Sequence, residues 1–262
     1  MRIATWNVNS LKARLPRVEE WLEYAQPDVL CLQETKLSDA NFPAMAFSAL
    51  GYESAHHSQG QWNGVAILSK VGIEEITSGF GESLVDPYEG DARLIAATCG
   101  GIRIVSVYVP NGREVPSEFY DRKLEWFERL AEWVAAGFKP TDPLMILGDF
   151  NVAPEDVDVW NPKAFQGSTH VTEPERAAIA RLEDWGLVDT FRQVYDQERL
   201  YSYWDYRAGD FHQGRGMRID LILATAPVAE RVTWALVDRN ARKGKSPSDH
   251  APVLVDLDGP TG

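Results

Sequence analysis

The chain has 262 residues, of which 44% are hydrophobic and 25% charged, and its formal net charge is −13. This composition is typical of a globular protein with a large core, and the acidic charge argues against an indiscriminate coat for nucleic acid. The sequence shows neither an apolar run long enough for a membrane span nor a secretory signal, and Cys31 and Cys99 lie in apolar runs as expected of buried thiols, so we expect a protein of the reducing cytoplasm.

Short apolar segments along the chain predict β-strands. They are residues 2–8, 28–33, 64–69, 93–99, 102–109, 143–149, 218–224, 232–238 and 251–257. Several of them are apolar on both faces, which indicates sheets that are covered on both sides. The connections within 93–109 and within 218–238 are too short for a crossover helix, so the sheets should be mixed.

Three helices are predicted between these strands. Residues 11–25, 117–136 and 173–185 repeat apolar side chains at helical spacing, with Ser117 suited to a helix start and Pro174 to a first turn. The apolar stripe of the second helix consists of Phe119, Leu124, Phe127, Leu130 and Val134. Since no interdomain linker or short repeat is evident, we expect one domain of packed α and β layers.

Polar side chains gather where the predicted strands begin or end. In LMILGDFNVAP (144–154), Asp149 and Asn151 are two residues apart and share a face, while Phe150 turns back into the core. The other polar residues at such positions are Asn7, Asn9, Glu34, Lys36, Tyr108, Asn111, Asp220, Asp249 and His250. One such residue alone is more often a cap, a packing residue or part of a solvated loop. Taken together they predict a site, because α/β proteins place sites at strand ends.

The residue types indicate metal-assisted hydrolysis of a phosphodiester. Carboxylate and amide oxygens are the ligands that Mg²⁺ prefers, and Mn²⁺ is a plausible substitute. His250 follows an aspartate, and an Asp–His pair fixes the tautomer of the imidazole and raises its basicity. A metal, a carboxylate base and neutral donors are the components of this reaction. The absence of a Walker-type loop and of a Gly-x-Ser-x-Gly motif disfavours a nucleotide triphosphatase, a nucleotide cofactor and a serine hydrolase.

The sequence resembles the exonuclease III family of AP endonucleases, within the DNase I-like endonuclease/exonuclease/phosphatase superfamily. The matching motifs occur in order from Arg2 to about Leu257. They are LQETK (32–36), QWNGVAILSK (61–70), YVPNG (108–112), GDFNVAP (148–154), YWDYR (203–207), RGMRIDLILA (215–224) and SDHAPV (248–253). GDFN or SDH alone marks only the superfamily, whereas LQETK together with WDYR and GMRID is specific to the DNA-repair branch. The resemblance implies an α/β fold, a four-layer αββα sandwich of two mixed β-sheets flanked by helices.

The resemblance also implies roles for individual residues. The implied catalytic residues are Tyr108, Asp149, Asn151, Asp220 and His250. The implied metal residues are Asn7, Glu34, Asp149, Asn151, Asp249 and His250. The implied substrate contacts are Asn9, Lys36, Asn111, Arg113, Tyr203, Trp204, Met217, Ile219, Arg242, Lys243 and Lys245. Asp149 would activate the attacking water, Asn151 would support the transition state, Asp220 would orient His250 on the phosphate, and Tyr108 would contact the phosphate and the leaving group.

The activity implied by the resemblance is Mg²⁺-dependent DNA repair. It comprises cleavage of the phosphodiester 5′ to abasic sites, 3′→5′ exonuclease activity and 3′-end trimming, on double-stranded DNA with abasic or blocked 3′ ends. The protein would act in base excision repair as a monomer, in the cytoplasm and at the nucleoid of a prokaryote, without a membrane.

Recognition of an abasic site requires an apolar pocket that admits a flipped sugar and excludes an intact nucleotide. Tyr203, Met217 and Ile219 would form the pocket wall, with Trp204 beneath. Some relatives have a larger aromatic residue at the position of Met217, so a wider pocket with appreciable exonuclease activity is expected here. The alternative is that Met217 only fills irregular packing.

Residues 239–245, RNARKGK, place four cations within seven residues and lead into Ser248, Asp249 and His250. They are therefore expected beside the scissile phosphate, where Lys and Arg side chains contribute electrostatic affinity. The alternative interpretation is a solvated loop.

Two rival functions share parts of this pattern. A phosphodiesterase or phosphatase that acts on a small-molecule or lipid phosphate would have the same catalytic residues, but the LQETK, WDYR and GMRID motifs argue against it. A non-catalytic DNA-binding relative would have lost acid, base or metal residues, all of which are present.

Overall fold

The computed structural model describes residues 1–81, 84, 86–88 and 90–259, and these residues form β-strands and helices in alternation. The strands are β1 (Arg2–Asn7), β2 (Val29–Gln33), β3 (Glu53–Gln59), β4 (Trp62–Ser69), β5 (Glu74–Ser78), β6 (Leu94–Cys99), β7 (Ile102–Tyr108), β8 (Leu144–Asp149), β9 (Leu187–Asp189), β10 (Asp220–Thr225), β11 (Val232–Val237) and β12 (Val253–Leu257). The helices are α1 (Leu11–Ala25), α2 (Ala44–Ala49), α3 (Glu118–Gly137), α4 (Glu173–Trp185), α5 (Thr190–Val194), α6 (Asp210–Gln213) and α7 (Ala226–Ala229).

The strands form two six-stranded sheets. The strand order is β11-β12-β1-β2-β4-β3 in the first sheet and β5-β6-β7-β8-β10-β9 in the second. Each sheet is mixed as predicted, because β1 pairs parallel with β2 and β7 pairs parallel with β8, while the other pairs are antiparallel. The carboxyl ends of the parallel strands therefore lie at one edge of each sheet.

Three apolar clusters define the layers. One lies between the two sheets and contains residues of both, such as Val29 and Ile104. A second packs α3 and α4 on the outer face of the second sheet, and a third packs α1 on the outer face of the first sheet. The order helix, sheet, sheet, helix confirms the predicted αββα sandwich.

The local signals at the helix starts act as expected. Ser117 caps α3, since its Oγ accepts a hydrogen bond from the N–H of Tyr120 at 3.1 Å. Thr172 and Glu175 form a capping box at the start of α4. The predicted stripe of α3 is wrong at Phe119, which is 38% exposed and carries the Arg113 guanidinium, because the buried face of this turn is that of Tyr120.

Strands β3, β5 and β9 were absent from the prediction. The sequence of β3 is largely polar, every residue of β5 is exposed, and β9 has only three residues. All three lie at sheet edges, where one or both faces meet solvent and the apolar pattern is weak. Among the described residues, no helix combines the length and apolarity that crossing a membrane would require.

Candidate active site

The ends of four parallel strands converge between the two sheets. Asn7 ends β1, Glu34 follows β2 and Asp149 ends β8. The side-chain Nδ2 of Asn7 donates to Glu34 Oε1 at 2.8 Å and to Asp149 Oδ2 at 2.8 Å. One buried amide thus connects a carboxylate of the first sheet with a carboxylate of the second.

Several residues around this point have a backbone conformation that is unusual outside glycine. The φ angle is 41° at Asn9, 53° at Glu34, 51° at Lys36, 59° at Arg113 and 51° at Asn151. Such conformations cost about 1 kcal/mol or more each and concentrate at functional sites, where the surrounding structure holds them. Four of these residues, Asn9, Glu34, Lys36 and Asn151, take part in the hydrogen bonds at this edge, whereas Arg113 stacks on Phe119.

His250 lies between two aspartates. Its Nδ1 is 2.8 Å from Asp220 Oδ2, and its Nε2 is 3.8 Å from Asp149 Oδ2. Burial opposes a charge on the imidazole, but Asp220 and Asp149 outweigh it and raise the pKa of His250 to about 10. Burial also raises the pKa of Asp149 to about 7, while the attraction of His250 opposes that rise. His250 therefore carries a positive charge at neutral pH, and this charge favours the ionised form of Asp149.

Asn151 is fixed beside Asp149 by its own hydrogen bonds. Its backbone N–H donates to Asp149 Oδ1 at 2.9 Å, and its Nδ2 donates to the carbonyl of Val109 at 2.9 Å. Asn111 Nδ2 donates to Asn151 Oδ1 at 3.2 Å. Phe150 is completely buried in the cluster beneath α3, as predicted, and anchors the segment between the two polar residues.

Tyr108 ends β7 opposite Asp149 in the parallel ladder. Burial, followed by Glu34, raises the pKa of its hydroxyl well above the usual value, which keeps it a phenol. The guanidinium of Arg93 stacks 4.9 Å from the ring centre. A phenol at this position can donate a hydrogen bond to a substrate oxygen.

The acidic residues fit a hard divalent cation. Ligand atoms of Asp149, Asp220 and His250 lie within 4.8 Å of one another. Asp220 Oδ1 is buried and has no hydrogen-bond donor within the described part of the chain. Glu34 Oε2 is 2.6 Å from the ammonium of Lys36, which shows that this carboxylate attracts a cation. Carboxylate and amide oxygens without thiolates are the ligand set of Mg²⁺ or Mn²⁺.

Asn9 and Lys36, both predicted substrate contacts, belong to a chain of hydrogen bonds at the mouth of the site. Lys36 Nζ donates to Asn9 Oδ1 at 2.7 Å, and Asn9 Nδ2 donates to Asp249 Oδ1 at 3.1 Å. Ser248 Oγ donates to the carbonyl of Asn7 at 2.7 Å. These contacts join the loop after β1 to the Ser248–His250 turn and bring Asp249 to the carboxylate cluster.

The predicted pocket wall lies beside His250 but is closed. The ring of Tyr203 is 4.9 Å from that of His250, and Met217 and Ile219 are 4% and 2% exposed in a small cluster with Val159. Trp204 is buried in the core between the sheets, and its indole lies against Gly216, the residue before Met217, so its place beneath this wall stays a prediction. Whether Met217 sets substrate choice stays a prediction.

The basic segment 239–245 divides into exposed and buried cations. Lys243 and Lys245 are exposed, whereas Arg242 is 7% exposed. The Arg242 guanidinium lies 4.9 Å from the ring centre of Phe211 and donates to the carbonyl of Ser248. The structure does not support Arg242 as a DNA contact, because its charge is enclosed by aromatic rings and holds the turn that carries His250.

We expect the Lys243→Gln/Lys245→Gln double variant to bind duplex DNA more weakly and with a smaller salt dependence. Each cation that contacts a phosphate contributes about 0.9 to the slope of log K against log salt, so the slope should fall by up to about 2. Fluorescence anisotropy at several salt concentrations measures it. Lys139→Gln, at an exposed position just before β8 and opposite the site, is the matched control. An unchanged slope in the double variant would make the segment a solvated loop.

Other polar residues of the site were given no role from the sequence. Ser202 Oγ donates to Asp220 Oδ2 at 2.6 Å and accepts from the N–H of Asp220 at 3.1 Å, so it fixes the carboxylate that faces His250. Arg218 is buried between Asp158 and Asp189 and anchors the segment from Met217 to Asp220. Ser202 directly precedes the YWDYR motif and Arg218 lies within RGMRIDLILA, and these motifs were the available signal. Arg113 and Asn111 are exposed, and the Arg113 guanidinium lies 3.6 Å from the Phe119 ring centre.

The sandwich and its acidic edge define a phosphoester-cleaving hydrolase, and the chain belongs to the Endonuclease/Exonuclease/phosphatase family, whose pattern matches residues 4–250. It is similar to Exodeoxyribonuclease III of Haemophilus influenzae, with 33% identity over 98% of this chain and 100% of that protein. Among solved structures it is similar to an AP endonuclease from Archaeoglobus fulgidus, with 37% identity, a TM-score of 0.94 and coverage of 99% and 100% of the two chains. A 3′ phosphatase from Neisseria bound to a product DNA hairpin is similar to the same degree, with 38% identity, a TM-score of 0.94 and the same coverage. Within the family, the protein is a DNA-repair nuclease of the exonuclease III and AP endonuclease type.

Proposed function

We propose that the protein is a Mg²⁺-dependent nuclease of base excision repair that cleaves the phosphodiester 5′ to abasic sites and also trims 3′ ends of double-stranded DNA. The observation that carries the proposal is the bridge of Asn7 between Glu34 and Asp149, with His250, which is paired with Asp220, 3.8 Å from the same Asp149 oxygen. A scissile phosphate at this edge would meet a base, a metal centre and several donors at once.

Each residue of the site has a separate role in the proposed reaction. Asp149 accepts a proton from the attacking water, while Asn151 and His250 Nε2 donate to the non-bridging oxygens as charge grows on them. Tyr108 donates to the leaving 3′ oxygen, whose bond to phosphorus breaks as the new bond to the water oxygen forms. Glu34 and Asp249, with Asn7 orienting Glu34, would hold a Mg²⁺ ion, which would supply Lewis-acid stabilisation of the phosphate.

The same proposal includes the location, the domain organisation and the oligomeric state of the protein. A DNA substrate puts its action in the cytoplasm, at the nucleoid of a prokaryote, and the whole chain acts as one domain and as a monomer. Lys243 and Lys245 are exposed and come shortly before the Ser248–His250 turn in the chain. Cations at this position can contact the phosphates of a DNA backbone, which supports DNA rather than a lipid or inositol phosphate as the partner.

A second candidate is an enzyme that works mainly on 3′ ends. The packed wall of Tyr203, Met217 and Ile219 favours it, because a flipped abasic sugar within a duplex needs this wall to open, whereas a terminal phosphate reaches the acidic edge directly. The similarity to the 3′ phosphatase from Neisseria and to the AP endonuclease from Archaeoglobus is equally close and supports both candidates.

A panel of matched duplexes tests the two candidates. One duplex carries a single tetrahydrofuran abasic analogue, one a nick with a 3′ phosphate and one an undamaged recessed 3′ end, and an inositol phosphate represents the rival substrate class. We expect incision at the analogue with kcat/KM at least equal to that on the other duplexes. Release of phosphate from the nick without incision at the analogue would select the second candidate, and hydrolysis of the inositol phosphate alone would refute both.

A further inference from the structure

A buried ion pair lies directly behind the candidate active site. Lys123 of α3 and Glu175 of α4 have completely buried side chains, and Lys123 Nζ is 2.5 Å from Glu175 Oε1. Removing two charges from water costs more free energy than an ordinary packing contact returns, so such a pair adds little to stability relative to apolar residues of the same size. The hydrogen bonds of this ion pair indicate a role other than stability.

The ammonium of Lys123 joins the two loops that carry the amides of the site. It donates to the carbonyl of Asn151 at 2.8 Å and lies 3.3 Å from the carbonyl of Asn111. Asn151 follows β8 and Asn111 follows β7, so one charged group holds both loops from beneath. The amide side chains of the same two residues are hydrogen-bonded to each other as well.

The carbonyl of Asn151 receives a second donor on this side. His170 Nδ1 lies 2.5 Å from the same oxygen that Lys123 binds. Because Asn151 has a positive φ of 51°, its backbone needs such contacts to remain in that conformation. If these two hydrogen bonds were lost, the backbone of Asn151 could leave this conformation, and the side-chain amide of Asn151 would turn away from Asp149.

Glu175 holds the ammonium at a fixed position. Its Oε1 also accepts from Thr169 Oγ1 at 2.8 Å and from the N–H of His170 at 2.9 Å, and its Oε2 accepts from the N–H of Thr172 at 3.0 Å. A helix cap requires only the last of these bonds. The remaining bonds connect the start of α4 to the ammonium and through it to Asn151.

We propose that Lys123, held by Glu175, is a positioning residue that keeps the amides of Asn111 and Asn151 aligned on the scissile phosphate. The inference rests on the proposed phosphodiester hydrolysis, and it assigns to α3 and α4 a part in turnover rather than in folding alone. Groups that fix the residues in contact with the reacting atoms contribute about 10–100-fold to activity in comparable sites.

The test uses Lys123→Met/Glu175→Gln, which removes both charges together and leaves neither buried without a partner. We expect kcat on the best duplex of the panel to fall by about 10–100-fold with a smaller change in KM. Leu130→Ala, a cavity on the buried face of the same helix, is the control for a general loss of stability. An equal loss of kcat in the control at matched stability would overturn the inference.

A double-mutant cycle with Asn151→Gly separates positioning from a structural role. Glycine accepts the positive φ but lacks the amide, so removing the ion pair should cost little further kcat in this background. If removing the ion pair lowered kcat by the same factor in the wild type and in Asn151→Gly, a role through Asn151 would be refuted.

If the double variant does not fold, Glu175→Gln alone enters the same cycle, and we expect a smaller but still non-additive loss of kcat. An inactive wild type would refute the proposed function and the inference with it, whereas an active wild type with additive losses would refute the inference alone.

Discussion

Asp149→Asn is expected to lower the single-turnover rate of incision by about 10²–10⁴-fold, the usual contribution of a general base. The substitution keeps the shape of the side chain and one acceptor for the N–H of Asn151, but it removes the carboxylate that accepts the proton of the attacking water. DNA affinity should be retained or increased, because a negative charge facing the phosphate is lost. Rapid-quench incision together with equilibrium binding measures both quantities.

Asp184→Asn is the control for the change in charge. Asp184 is exposed near the end of α4, away from the strand ends, so both the rate and the affinity should remain at wild-type values. Turnover of Asp149→Asn within tenfold of the wild type would contradict the assignment of Asp149 as the base.

Gly148→Ala is expected to lower the free energy of unfolding by about 4 kcal/mol or more, at the upper end of the effects of single substitutions. Gly148 has a φ of 153°, and a Cβ there would lie 1.9 Å from the carbonyl oxygen of Val107. The obstacle is the backbone of β7, a central strand paired with β8 along its length, so it cannot move aside. Urea unfolding measures the loss, and incision should fall with it since Asp149 is the next residue.

Gly137→Ala gives the comparison. Gly137 is the last residue of α3, and a Cβ there would meet no atom within 4 Å. Alanine should stabilise this position by about 0.4–1 kcal/mol through the unfolded state. If the two alanine variants unfolded at the same urea concentration, the close approach of β7 and β8 at Gly148 would not be a real constraint.

The strand ends were predictable from the sequence because the physical signal is local. A buried apolar run that ends on polar residues two apart, as at Asp149 and Asn151, indicates both the strand and the shared face of its last side chains. The resemblance of the motifs then grouped these ends at one edge. The bridge of Asn7 between Glu34 and Asp149 spans 142 residues of sequence, and only the pairing of the sheets reveals it.

The buried charges were not predictable in the same way. Lys123 looks like a solvent-facing residue of an amphipathic helix, and its partner Glu175 comes 52 residues later. Arg242 looks like part of a basic surface, yet Trp204 and Phe211 enclose it. A charged side chain is buried when distant parts of the chain supply its partners, and neither composition nor periodicity contains that information.

The central claim is that the strand-end residues form a metal-dependent phosphodiesterase site for damaged DNA. Its most direct test is incision of a duplex with one abasic analogue by the wild type and by Asp149→Asn, each with Mg²⁺ and with EDTA. We predict a 3′-hydroxyl product from the wild type with Mg²⁺, at a rate that EDTA abolishes and that Asp149→Asn does not approach. Equal cleavage in EDTA, or cleavage by Asp149→Asn at the wild-type rate, would contradict the account.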